Sequence, residues 1–145
     1  MKVKDMQLIV DRMGVELRFG DYPYAACYAV DNWERGDWKG LWFANETDSA
    51  IIYVPQKYNQ DLRAFGFLHE VGHIIDHQVG LTFDSVWDGE VSAWMWAKIM
   101  LNRYYPDYDR LAFKEDVFEC LGTYAHSLDD RDEQWMEAMT GLGFF

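Results

Sequence analysis

The chain has 145 residues, half of them hydrophobic and 17% aromatic, with 13 Lys and Arg against 25 Asp and Glu for a formal charge of −12. That length makes one domain, residues 1–145, able to bury about two-thirds of the surface its unfolded form exposes; the aromatic content excludes a disordered tail. So acidic a chain is also expected not to hold nucleic acid through its phosphates. Residues 1–75 carry 8 basic and 11 acidic groups and residues 76–145 carry 5 and 14. Aromatics are interleaved through the second half, which marks it as a solvated helical surface.

In chain order, Lys2 to Met13 places Val3, Met6, Leu8, Ile9, Val10 and Met13 mostly on one helical face, with Gly14 as a stop. Four short apolar or alternating runs follow: Val15–Phe19, Tyr24–Val30, Lys39–Ala44 and Ala50–Val54. Turn residues separate them, which predicts a small meandering sheet of three or four strands closed by Pro55. From Asn59 the period becomes helical. The pattern predicts helices at 60–78, ended by Gly80; at 85–104, ended before Pro106; at 109–127; and at 130–140. Strands first and helices after define an α+β fold.

Cys27 and Cys120 form neither a disulfide framework nor a CxxC pair, and read as small buried hydrophobes in a reducing compartment. Asp5 and Asp11 interrupt the N-terminal apolar residues, so no signal peptide is expected. No run approaches the ~20 apolar residues that span a bilayer. A cytoplasmic protein is expected, in the host cytoplasm if the gene is viral.

The chemistry concentrates in Phe67-Leu-His-Glu-Val-Gly-His-Ile-Ile-Asp-His77, which contains His69-Glu70-x-x-His73. Residues four apart on a helix sit about 40° apart in azimuth and ~6 Å along the axis, so two imidazoles converge on one ion. Glu70, rotated by ~100°, reaches a water on that ion rather than the ion itself. The flanking Phe65, Leu68, Ile74 and Ile75 are apolar. The helix is therefore enclosed by protein, where two histidines and a glutamate without a partner would be costly. Gly72 costs ~1 kcal/mol against Ala in a helix interior, a broken local rule of the kind functional sites show.

Three protein ligands leave one tetrahedral position open. Candidates for the third are Asp76, His77, Asp84, Asp88 and Glu90. His77 lies about 12 Å along the helix from His69 and misses the metzincin spacing, which leaves Asp76 and His77 as supporting residues around the ligands. Glu90 fits better: Ser85 caps a new helix, and Ala93 and Ala97 share the stripe of Glu90, letting that helix approach closely. Tyr104, Tyr105, Tyr124 and His126 are candidate oxyanion stabilisers or else core and rim residues. The tryptophans (Trp33, Trp38, Trp42, Trp87, Trp94, Trp96 and Trp135) suit either a protein-binding surface or the core.

Leu68-His-Glu-Val-Gly-His73 followed by Glu90-Val-Ser-Ala-Trp-Met-Trp-Ala97 resembles the ImmA/IrrE family of small gluzincin metallopeptidases, over roughly residues 50–101. That family pairs an HE-L-GH helix with a downstream E-x-x-A-x-x-F-A helix. Here Val71 stands for the usual leucine, and Trp94 and Trp96 for the usual asparagine and phenylalanine. The resemblance implies a minimal gluzincin-like fold, with an N-terminal helix and small sheet before the active-site helix, the glutamate helix and the C-terminal helices. It also implies zinc held by His69, His73 and Glu90, with Glu70 as the general base. The implied substrate is a regulatory protein such as a phage or mobile-element transcriptional repressor. By family analogy, the strand Ala50–Val54 would pair with extended substrate. The competing expectations are a non-catalytic, metal-stabilised binding regulator or inhibitor on the same fold, and metal-dependent hydrolysis of a non-peptide substrate.

Overall fold

A computed structural model describes residues 1–22, 26–29, 50–56, 59–128 and 130–144, with the backbone alone at 26–29, 50 and 127. The expected strand Lys39–Ala44 and the side chains of Trp33, Trp38, Trp42 and Cys27 lie outside the described residues. Helix α1 (Val3–Met13) buries Met6 and Val10 and ends on Gly14. Strands β1 (Val15–Gly20), β2 (Ala26–Ala29) and β3 (Ala50–Pro55) form one sheet, and four helices follow. These are α2 (Gln60–Gln78), α3 (Val86–Tyr104), α4 (Arg110–Gly122) and α5 (Arg131–Gly141), with a single 3-10 turn, Ala125–Ser127, between the last two. The architecture is α+β.

The sheet departs from the expected meander. Its order is β1-β3-β2, with β1 parallel to β3 (Val15 opposite Ala50) and β2 antiparallel to it (Ala26 opposite Tyr53). Ile51, Ile52, Tyr53 and Val54 are almost wholly buried. A continuous apolar run of this kind needs cover on both faces and so takes the middle of the sheet. Both edges of β3 carry a neighbour, which corrects the expectation that this strand receives an extended substrate.

Side-chain caps set the helix boundaries. Asn59 Oδ1 accepts from the Leu62 amide (2.9 Å), Ser85 Oγ from the Asp88 amide (3.2 Å), Asp109 Oδ1 from the Ala112 amide (3.0 Å) and Asp130 Oδ1 from the Glu133 amide (3.3 Å). Helix α2 closes in a Schellman motif: Gly80 (φ 76°) lets its own amide reach the His77 carbonyl and the Leu81 amide reach the Asp76 carbonyl. Helix α4 stops at Gly122, short of the expected 127. Thr123 Oγ1 donates to the Cys120 carbonyl (2.7 Å) there, and the chain tightens into the 3-10 turn.

Helix α2 is covered by α3, α4 and the sheet, with Phe65, Phe67, Leu68, Val71 and Ile74 buried. One core joins α1, the sheet and all four later helices. Edge-on contacts Phe65–Phe113 (5.3 Å) and Phe113–Trp94 (5.7 Å) run through it from α2 to α4 to α3. Trp87 and Trp94 are buried, and Trp96 and Trp135 pack against the core. These four described tryptophans are therefore core residues. The acidic groups of the C-terminal half that lie on α4 and α5 mostly face solvent. Among the described residues, no helix is long and apolar enough to cross a membrane.

Candidate metal centre

The site is built where α2 crosses α3. Gly72 makes the crossing close: a Cβ placed on it would lie 2.5 Å from the Ala93 carbonyl oxygen and 2.9 Å from the Ala93 Cα. Any side chain at 72 would push the two backbones apart. Ala93 and Ala97 are fully buried on the facing stripe. Glu90, one turn before Ala93, is thereby carried against the histidines of α2.

Three side chains converge at that point. His69 Nε2 lies 3.2 Å from His73 Nε2 and 2.8 Å from Glu90 Oε2, while His73 Nε2 lies 3.3 Å from Glu90 Oε1. Donor atoms on a tetrahedron with ~2.0–2.1 Å bonds stand ~3.3–3.4 Å apart. The two separations from His73 Nε2, 3.2 and 3.3 Å, match the edges of such a tetrahedron, whereas the 2.8 Å from His69 Nε2 to Glu90 Oε2 is shorter, the length of a hydrogen bond. His69 and Glu90 are 5% and 9% exposed, so the pair is largely withdrawn from water. The two carboxylate oxygens of Glu90 thus each face one ring nitrogen, Oε2 toward His69 and Oε1 toward His73, in a largely buried cluster of potential ligand atoms.

The electrostatics agree. Burial alone would raise the Glu90 carboxyl, but contact with His69 and His73 outweighs it and holds the group well below the usual carboxylate range. Burial alone would lower His73, but contact with Glu90 and the nearby charge of Glu70 raise it overall. Glu70 is buried, and its charge also bears on Cys120 and Tyr124, so it faces the same small volume.

The supporting candidates separate. Asp76 is buried, and its Oδ1 accepts from Ser92 Oγ (3.0 Å) and Trp96 Nε1 (2.8 Å), so it pins α3 to α2 and is not among the converging donors. His77 lies in the last turn of α2, outside the cluster. Asp84 and Asp88 are exposed. Tyr104 is 66% exposed beside Arg103, and His126 is exposed on the 3-10 turn; neither belongs to the cluster. Tyr105 instead donates a short hydrogen bond to Asp61. Of the hydroxyl candidates, Tyr124 is brought to the site: burial, then the charge of Glu90 beside it, push its hydroxyl up.

Two contributors were not legible in the sequence. Trp94 stacks on His69 (4.2 Å between ring centroids, 28° between planes) and fixes the plane of that ring. It lies four residues after Glu90, on the same helical stripe, which is the one signal that could have found it. Cys120 reaches the cluster from α4. Ligand atoms of His69, Glu90 and Cys120 all lie within 4.8 Å of one another. Burial, then the charge of Glu90, push its thiol up to about 12, with the Trp94 indole N–H pulling the other way. It was expected to be a plain core residue. Comparison of the chain with known proteins yields no significant match to any family model, curated protein or solved structure.

Proposed function

We propose that this chain is a zinc-dependent metallopeptidase of the gluzincin type, similar to the ImmA/IrrE family, acting on a regulatory protein such as a transcriptional repressor. The observation that carries the reading is the convergence of His69 Nε2, His73 Nε2 and Glu90 within 2.8–3.3 Å of one another in a largely buried site. Two imidazoles and one carboxylate suit zinc and leave one tetrahedral position open. A bound zinc ion would supply Lewis acidity toward a peptide carbonyl and acidify a water molecule.

The protein's own groups supply the remainder. Glu70 follows His69 directly but points ~100° away around the helix, off the stripe of the two histidines, and serves as the base. Its carboxylate takes a proton from the attacking water and passes it to the leaving amine. His69 is held in plane by Trp94, and Glu90 is held in reach by the Gly72–Ala93 crossing. Tyr124, beside Glu90, is the hydroxyl placed to donate to a developing oxyanion.

Glu70→Gln tests the proposal, because the amide keeps the shape of the side chain and cannot accept a proton. Metal analysis of the purified variant should give the zinc content of the wild type. Labelling of new N-termini in a treated host lysate should show cleavage products with the wild type and a loss of ~10²–10⁴ in their rate with the variant. Identical products from both proteins, or none from either, would leave the non-catalytic, metal-stabilised regulator as the reading.

A further inference from the structure

We propose that Cys120 is a fourth, displaceable metal ligand that closes the His69–His73–Glu90 site in the resting protein. The proposal rests on the metal reading above and deepens it. Its basis is position. The Cys120 sulfur and one ligand atom each of His69 and Glu90 lie within 4.8 Å of one another, and the sulfur comes from α4, a third element packed on both α2 and α3. In a tetrahedral site with a ~2.3 Å metal–sulfur bond and ~2.0–2.1 Å bonds to nitrogen and oxygen, sulfur stands ~3.5–3.6 Å from its neighbours. The thiol therefore lies near ligating range without occupying it, and rotation about the Cys120 side chain is the movement that would bring it in.

A second observation points the same way. Glu90, nine-tenths buried, holds its carboxylate against both His69 and His73 beside the same volume. The thiol groups directly with His69 and Glu90, and with His73 bound to the same ion it would take the fourth tetrahedral place, which a water could otherwise fill. When sulfur fills it, the S–H bond breaks, the proton leaves to solvent and a sulfur–metal bond forms; no electrons change hands. Glu70 then has no water to deprotonate and the site is latent. Exchange of the sulfur for a water opens it, so the wild type still cleaves at the rate its open fraction sets.

The test uses full-length protein and the metal alone. The cobalt(II) form of the wild type should show thiolate-to-cobalt charge-transfer absorption in the near ultraviolet. Cys120→Ser should bind cobalt without that band, while Cys27→Ser keeps it. Zinc affinity of Cys120→Ser should fall by about 10–100-fold, at least the loss that removing a ligand's supporting partner causes. Alkylation followed by peptide mapping needs no variant: zinc should protect Cys120, and a chelator should expose it. Cobalt binding by the wild type without a sulfur band, or alkylation of Cys120 indifferent to zinc, overturns this proposal and leaves the metal reading standing. Failure of the wild type to bind either metal overturns both.

Discussion

Gly72→Ala probes the geometry that assembles the centre. A methyl group at 72 would start 2.5 Å from the Ala93 carbonyl oxygen and 2.9 Å from the Ala93 Cα. Ordinary contact needs ~3.5 Å, so α2 and α3 must separate by about 1 Å; both partners are backbone and have no torsion to turn aside. Helix propensity alone favours alanine by ~1 kcal/mol, whereas overpacking of this kind costs ~1–3 kcal/mol and occasionally more. The metal-free variant should therefore lose up to ~2 kcal/mol. Glu90 lies within one turn of Ala93 and moves with it, and 1 Å is several times the ~0.2 Å tolerance of a metal–ligand distance. Zinc affinity should fall at least ~10-fold, about 1.4 kcal/mol. Urea unfolding in chelator gives the first quantity and competition with a chromogenic chelator the second. Gly122→Ala is the control: it lies in a helix with nothing within 4 Å of its added Cβ, so it should gain ~0.4–1 kcal/mol and leave zinc untouched. A Gly72→Ala protein as stable as the wild type, with unchanged zinc affinity, would refute the close-crossing argument.

Glu90→Ala should abolish stoichiometric zinc binding while His77→Ala retains it, measured by metal analysis after dialysis; the reverse order would move the third ligand onto α2. Trp96→Phe removes one of the two donors to buried Asp76 and should cost ~1–3 kcal/mol in urea unfolding; a change near zero would show that Asp76 does not pin the helices. In chelator, the His73–Glu90 pair sets a pH dependence. His73 is raised above its ordinary 6.5, so its contribution is complete below 6.5 and lost as pH rises through the raised value. Glu90 is lowered from 4.5, so its contribution is complete above 4.5 and lost as pH falls through the lowered value. Metal-free protein should thus be more stable at about pH 5.5 than at about pH 8, and Glu90→Gln should flatten the difference; stability rising toward pH 8 would contradict the pairing.

Local chemistry was legible because the chain punctuates its helices. Asn59 and Gly80 bracket α2 and Ser85 and Pro106 bracket α3, and the relative places of His69, His73 and Glu90 follow from the helical repeat plus small residues at the crossing. Non-local pairing was not legible. Nothing in the residues around Ala50–Pro55 states that β3 lies between β1 and β2, since an apolar run records burial and not its neighbours. For the same reason Cys120 and Tyr124 could not be tied to His69: their approach depends on how α4 lies across the α2–α3 pair, which no periodicity encodes. The early end of α4 was missed because Thr123 reads as an acceptable helix residue until its hydroxyl is seen to bond the Cys120 carbonyl.

The α2–α3 pair also bears on the order in which the molecule assembles. All three converging donors fall within residues 69–90, on two helices joined by a short loop. Closing a loop of that size costs about 1 kcal/mol less chain entropy than bringing β1 alongside β3 across the intervening sequence. A metal ion captured by this hairpin would link its two arms before the sheet has found its register. The parallel β1–β3 pairing, the slow non-local step, would then form against a helical pair already fixed. Cys120, carried on α4, would be the last of the converging side chains to arrive, so its engagement would report completion of the fold.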